Sequence, residues 1–97
     1  MPLRFARDPA KAATNLRKHG ISFAEAETAF GDPLSICIPD PDHSVDEERF
    51  ILMGLTELGT LVLVPFTEAE DTIRIINARR ANRAERRDYE QGKSFSH

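Results

Sequence analysis

The hydrophobic texture of this chain changes sharply at Gly31-Asp32-Pro33, and that change limits the folds open to it. Before it, the sequence is punctuated for helix. Asp8-Pro9 offers a carboxylate for orphan N–H groups and a proline at the first helical position, where no N–H is needed. Good helix formers run from Ala10 to Lys18. Gly20 suits a left-handed C-terminal stop, with Lys18 and His19 at the negative end of the dipole. Ser22-Phe23-Ala24-Glu25 then has capping-box spacing and predicts a second helix that closes at Gly31-Asp32-Pro33. Two helices joined by so tight a turn are expected to pack as a hairpin.

After Pro33 the period drops to two. Leu34-Ser35-Ile36-Cys37-Ile38 alternates as a half-buried strand, and Pro39 to Ser44 is a turn-rich loop. Arg49 to Thr56 and Thr60 to Phe66 read as strands joined at Glu57-Leu58-Gly59. Thr72 to Arg79 is the last strand, after a polar turn from Glu68 to Asp71. Connections this short favour an antiparallel meander. Pro65 cannot donate to a ladder, so it marks an edge, a bulge or a strand end. Asn82-Arg83-Ala84-Glu85 opens a C-terminal helix that stops at Gly92, and Lys93 to His97 is expected to fray. Leu3 to Phe5 reads as a short additional strand. The expectation is an α+β fold: two N-terminal helices, a four-stranded antiparallel sheet with a short extra N-terminal strand, and a C-terminal helix. Helices on one side would leave a sheet face or edge open for a ligand.

A chain of 97 residues supports one hydrophobic core and so one domain, 1–97. No apolar run approaches the roughly 20 residues needed to span a bilayer, and the N-terminus carries no apolar signal segment. The lone Cys37 excludes an internal disulfide and a cysteine-based zinc cluster. These features together predict a cytoplasmic protein. Net charge is −3, which by itself argues against a nucleic-acid ligand. The distribution argues the other way. No Lys or Arg falls between Gly20 and Glu48, where Glu25, Glu27, Asp32, Asp40, Asp42, Asp46 and Glu47 are acidic. From Arg74 to Arg87 the basic residues Arg74, Arg79, Arg80, Arg83, Arg86 and Arg87 face only Glu85. A single-sign patch concentrates an oppositely charged partner, and folding does not require one.

Three groups of residues carry candidate chemistry. Arg79 and Arg80 end a strand just before a helix start, and guanidinium groups beside helix N–H groups suit phosphate. A solvated arginine face, with Arg83 and Arg87 four apart, is the plainer reading of the same residues. His19 is the side chain best suited to move a proton near neutral pH, and Lys18 adjoins it. Lys and His in a last helical turn also simply complement the dipole. Arg49, the only Lys or Arg between Lys18 and Arg74, either pairs with Glu47 or Glu48 or joins the other arginines across the sheet. No metal-binding spacing is present, Asp40-Pro41-Asp42-His43 lacks a third nearby ligand, and no cofactor motif occurs. His43 and His97 are unconvincing second catalytic histidines.

The stretch Asp8 to Phe23 resembles the opening of BrnT toxins, with the pattern D-x-x-K-x-x-x-N-x-x-K-H-G-(V/I)-x-F. Glu25-Ala26, Phe30-Gly31-Asp32-Pro33, Glu48-Arg49-Phe50, Ile75-Ile76-Asn77-Ala78-Arg79 and Glu85-Arg86 continue the likeness in order, from about Phe5 to Tyr89. The resemblance implies a RelE-like fold and a metal-independent ribonuclease toxin of a type II toxin–antitoxin system. Cleavage would proceed by attack of the ribose 2′-OH on the adjacent phosphate. The implied partner is a BrnA-like ribbon-helix-helix antitoxin, in a dimeric or 2:2 complex that reaches DNA through the antitoxin and represses its own operon. By matched position, Arg49, Arg79 and Arg80 would clamp the phosphorane and His19, supported by Lys18, would transfer a proton. Glu85 and Arg86 are second choices, and Arg74, Arg83, Arg86 and Arg87 would bind RNA. Departures at Arg7 (often Trp), Pro65, Phe66 and Asn77 (often Ser) leave room for a weakened or altered nuclease. The alternative is a non-catalytic interaction module that modulates a DNA-binding partner. Direct DNA binding is disfavoured by the lack of a helix-turn-helix pattern.

Overall fold

The computed structural model describes residues 4–41 and 47–95. Leu3, the loop residues Asp42, His43, Ser44 and Asp46, and His97 lie outside the described residues. The chain opens with β1 (Arg4–Ala6), α1 (Pro9–His19) and α2 (Phe23–Thr28), which tightens into a 3-10 turn at Ala29–Gly31. There follow β2 (Ile36–Pro39), β3 (Arg49–Leu55), β4 (Leu61–Ala69), β5 (Thr72–Ile75), β6 (Arg79–Arg80) and α3 (Arg83–Glu90).

The caps behave as the residue types dictate. Asp8 accepts from the N–H of Ala10 at 2.8 Å, and Ser22 accepts from that of Glu25 at 2.9 Å. Gly20 ends α1 at φ 70° and donates to Leu16 O, a left-handed backbone that an L side chain adopts only at a cost. Asn82 and Glu85 complete a reciprocal capping box at the start of α3.

Strands β2 to β5 form the expected antiparallel meander, and the sheet departs from the expectation at its first and last strands. Its order is β1-β5-β4-β3-β2, with β6 paired to β4, and β1 runs parallel to β5. The sheet is therefore mixed. The first strand returns to cover the edge that the last hairpin leaves open, a long-range pairing that local patterning does not encode. The last strand is also broken. Phe66 pairs with Ile75 and Leu63 with Arg79, so Val64 and Pro65 stand opposite three residues, Ile76, Asn77 and Ala78. That is a β-bulge of one residue. Pro65 thus lies within a central strand, where Pro65 O accepts from Ile76 N–H at 3.0 Å and the bulge takes up the ladder's irregularity.

Both faces of the sheet are covered, which corrects the expectation of helices on one side. On the first face Val62, Val64, Phe66, Leu52, Ile73 and Ile75 pack with Ile21, Phe23, Ala26 and Ala29 from the α1–α2 side. There the 3-10 turn comes so close to β3 that a Cβ on Gly54 would meet Ala29 O at 2.9 Å, so only glycine fits without a shift. On the second face Ile51, Met53, Leu61 and Leu63 pack with Tyr89 of α3 and with Phe95. Phe95, in the tail expected to fray, is 5% exposed. Its ring covers apolar surface that α3 leaves open, and this burial holds the segment in place.

Candidate functional site

The bulge decides where the paired arginines go. Side chains alternate between sheet faces, so a one-residue offset reverses the side that each takes. Arg79 stands opposite Leu63 and joins the α3 face, while Arg80 stands opposite Val62 and joins the α1 face. Arg49 is two residues from Ile51 on β3 and shares the α3 face. It is registered with Thr67, which is in turn registered with Arg74. The expected clamp of Arg49, Arg79 and Arg80 is therefore not gathered on one surface.

Partners separate these groups further. Arg79 makes a bidentate pair with Glu85, from Nη1 to Oε1 at 2.9 Å and from Nη2 to Oε2 at 2.8 Å. Glu85 is 2% exposed and also accepts from Asn82 N–H at 2.8 Å, so the carboxylate is enclosed by donors. The hydrogen bond to Glu85 outweighs burial and pushes the Arg79 pKa upward. Glu85, a second-choice catalytic residue from the sequence, is thus a buried anchor. Arg49 Nε lies 3.3 Å from Asp40 Oδ2, and Asp40 N–H donates to Arg49 O at 2.8 Å. Among the described residues it pairs with Asp40 rather than with the expected Glu47 or Glu48, because Asp40 and Arg49 stand at the two ends of the β2–β3 loop.

On the α1 face the residues converge. Lys11, Asn15 and His19 recur every four positions, so they share one side of α1 with Thr14 and Lys18. Together with Ala10, Ile76 and Asn77 they line a cleft of about 330 Å³. Its floor is set by Asn15, which is 4% exposed. Asn15 Nδ2 donates to Ile21 O and to Ala78 O, both at 2.9 Å, and Oδ1 accepts from Ala78 N–H at 3.0 Å. The carboxamide supplies the bulge with the ladder bonds that β4 does not. His19 is half-buried and Lys18 exposed. Arg80 is exposed beside the cleft, where Nη1 donates to His19 O at 2.8 Å and satisfies an orphan carbonyl of α1.

The remaining basic candidates lie elsewhere. Arg74 is exposed on β5, and Arg83, Arg86 and Arg87 are exposed on α3. Arg7 forms an ion pair with Glu27 at 2.8 Å. Cys37 is exposed as a residue on the edge strand β2, but partial desolvation of its thiol, followed by the charge of Glu68, pushes its pKa up. Among the described residues no group of three or more His, Cys, Asp or Glu is placed to hold a metal ion. No helix among them is long and apolar enough to cross a membrane.

Sequence reasoning missed Asn15 as a structural centre, although its four-residue spacing from Lys11 and His19 was visible. It also missed Asp32, which accepts from Tyr89 Oη at 2.6 Å, Leu55 N–H at 2.8 Å and Leu34 N–H at 2.9 Å. Burial pushes against ionisation of Asp32, yet these hydrogen bonds together hold its carboxyl below 3.8. No local signal marks a pair 57 residues apart.

The family model described as "Ribonuclease toxin, BrnT, of type II toxin-antitoxin system" matches residues 8–85, most of the chain. The chain belongs to the BrnT family. BrnT proteins are ribonuclease toxins, and a type II system implies an antitoxin as partner. The crystal structure of the Brucella abortus ribonuclease toxin BrnT is similar to this chain with a TM-score of 0.66. Identity is 21%, and the match covers 84% of this chain and 100% of that one, so it speaks for a shared BrnT fold. No curated protein matches the chain.

Proposed function

We propose that this BrnT chain cuts RNA in the α1-face cleft, without a metal ion, by attack of a ribose 2′-OH on the adjacent phosphate. The new bond is 2′-O to P and the bond broken is P to 5′-O, which leaves a 2′,3′-cyclic phosphate and a 5′-hydroxyl. Such a step needs a group to move the 2′-OH proton, positive charge for the phosphorane oxygens and a proton for the leaving oxygen. His19 is the proton-transfer residue, and Lys18, Lys11 and Arg80 supply the charge. Arg79, held by Glu85, and Arg49, held by Asp40, support the two ends of the sheet rather than touch the scissile phosphate. Arg74, Arg83, Arg86 and Arg87 attract the RNA backbone from the surface, an effect that salt screens.

One observation carries this reading: a half-buried imidazole in a cleft whose other ionisable groups are cationic, with a guanidinium on its own carbonyl. The family membership favours a toxin over the non-catalytic interaction module. For the partner, a BrnA-like ribbon-helix-helix antitoxin that represses the shared operon is the reading the family supports best. The RelE-like description of the fold belongs to the same reading.

The test is cleavage of single-stranded RNA by the purified chain with and without EDTA, followed by end-group analysis. Retained cleavage in EDTA with cyclic phosphate ends is expected. Loss of cleavage in EDTA, or 5′-phosphate products, refutes the mechanism.

A further inference from the structure

Asn15 holds a position that neither the candidate chemistry nor the helix periodicity explains. A buried asparagine in a helix interior is unfavourable unless its amide is fully used. Here one carboxamide bonds both the N–H and the C=O of Ala78, 63 residues away, and also the Ile21 carbonyl just beyond the end of α1. Ala78 is the third residue of the bulge and the one before Arg79. If the bulge were lost, Leu63 would pair with Ala78 and Val62 with Arg79. Arg79 would then turn to the α1 face and Arg80 to the α3 face.

We infer that Asn15 is a positioning residue of the ribonuclease: its amide clips the bulge, and the clip sets Arg80 beside His19 and Arg79 against Glu85. The inference rests on the cleft reading above. Asn15 itself touches no substrate. It acts through the backbone of Ala78, and it ties that backbone to the helix end that carries His19. Loss of the clip therefore shifts the cationic group against the proton-transfer group, a change that acts on turnover more than on RNA affinity.

The experiment compares wild type, Asn15→Asp and Asn15→Ala as full-length chains. Asn15→Asp keeps shape and the acceptor for Ala78 N–H but loses both donors, and Asn15→Ala loses all three bonds. Cross-strand contacts and amide-proton exchange by NMR read the register without reference to activity, while steady-state RNA cleavage gives kcat and KM. The expected result is faster exchange at Ala78 and weakened Leu63–Arg79 contacts. With it, kcat falls about 100-fold at nearly unchanged KM in chains that still melt cooperatively. Asn15→Asp, corrected for its folded fraction at each pH, should regain part of its kcat as acid conditions protonate the new carboxyl and restore one donor; a purely structural loss would leave the corrected kcat unmoved.

An unchanged register, or a kcat loss that merely tracks the unfolded fraction, overturns the inference. So does unfolding of both variants, since Asn15 would then be required for the fold as a whole. If wild type fails to cut RNA, the cleft reading fails, and the NMR register still decides whether Asn15 sets the arginine faces.

Discussion

Arg79 and Arg80 are chemically identical and adjacent, yet they sit in opposite environments on the two faces of one short strand. On the α3 face, Arg79 meets a carboxylate that is 2% exposed and already bonded to a helix cap, so its charge is matched and its geometry held. On the α1 face, the Arg80 guanidinium meets, among the described residues, the carbonyl at the end of a helix, and the cleft beside it is lined in part by lysines and a histidine. A guanidinium with a buried anionic partner is part of the scaffold. One that caps a helix beside a cationic cleft keeps most of its five N–H groups for a phosphate. Neighbours on a strand part to opposite faces, and the one extra residue in the backbone decides which arginine takes which.

The contrast can be broken by substitution. Arg80→Ala is expected to slow RNA cleavage about 100-fold, the scale for removing one donor from a developing oxyanion, while stability moves by under about 1 kcal/mol. Cleavage kinetics alongside a denaturation curve check this, and equal losses in both would sink the distinction. Arg79→Ala should lower stability by about 2–3 kcal/mol in urea denaturation, because Glu85 is left buried without its cation. The figure falls to the bottom of the buried-pair range and below it, since the Arg79 side chain is 37% exposed and solvent screens the pair.

Smaller effects sharpen the picture. Tyr89→Phe should cost about 1–2 kcal/mol, because it releases α3 from Asp32 and leaves a carboxylate oxygen short of a donor. Burial, and then the hydrogen bond to Asp32, push the Tyr89 pKa from 10.0 up to about 12. A raised folded-state pKa means stability that is present below pH 10.0 and lost as pH rises towards about 12. A pH series of melts should show that loss in wild type and a shallower one in Tyr89→Phe. Asp32 has the opposite sign: its contribution is present above pH 3.8 and fades as pH falls through its lowered value. Least of all, Glu70→Gly should stabilise by about 0.5–1 kcal/mol, since Glu70 takes a left-handed φ of 58° in the β4–β5 turn. Remote from both faces, it should leave cleavage unchanged.

Local features of the fold were largely legible in the amino-acid sequence, and long-range ones were not. Asp8-Pro9, Gly20, Ser22 and Asn82-Glu85 announce helix ends because a cap is satisfied within a few residues. The parallel docking of β1 on β5 and the burial of Phe95 depend on surfaces that exist only once the sheet has formed. Pro65 admitted a bulge among three readings, but no residue type at Ile76-Asn77-Ala78 shows that the extra residue lies there. The site was legible as composition, in Lys18, His19 and the arginine run. It was illegible as geometry, because which face each arginine takes depends on a register held by Asn15 from another part of the chain. Glu85 looked like a second-choice catalytic residue for the same reason: its neutralisation by Arg79 across a turn has no sequence signature.

The most direct measurement is single-turnover RNA cleavage by Arg79→Ala and Arg80→Ala, each corrected for the folded fraction in the same buffer. The account predicts that Arg80→Ala stays about 100-fold slow after correction, whereas Arg79→Ala returns to within about tenfold of wild type. A folded Arg79→Ala chain that cannot cut, beside an Arg80→Ala chain at wild-type rate, would contradict it.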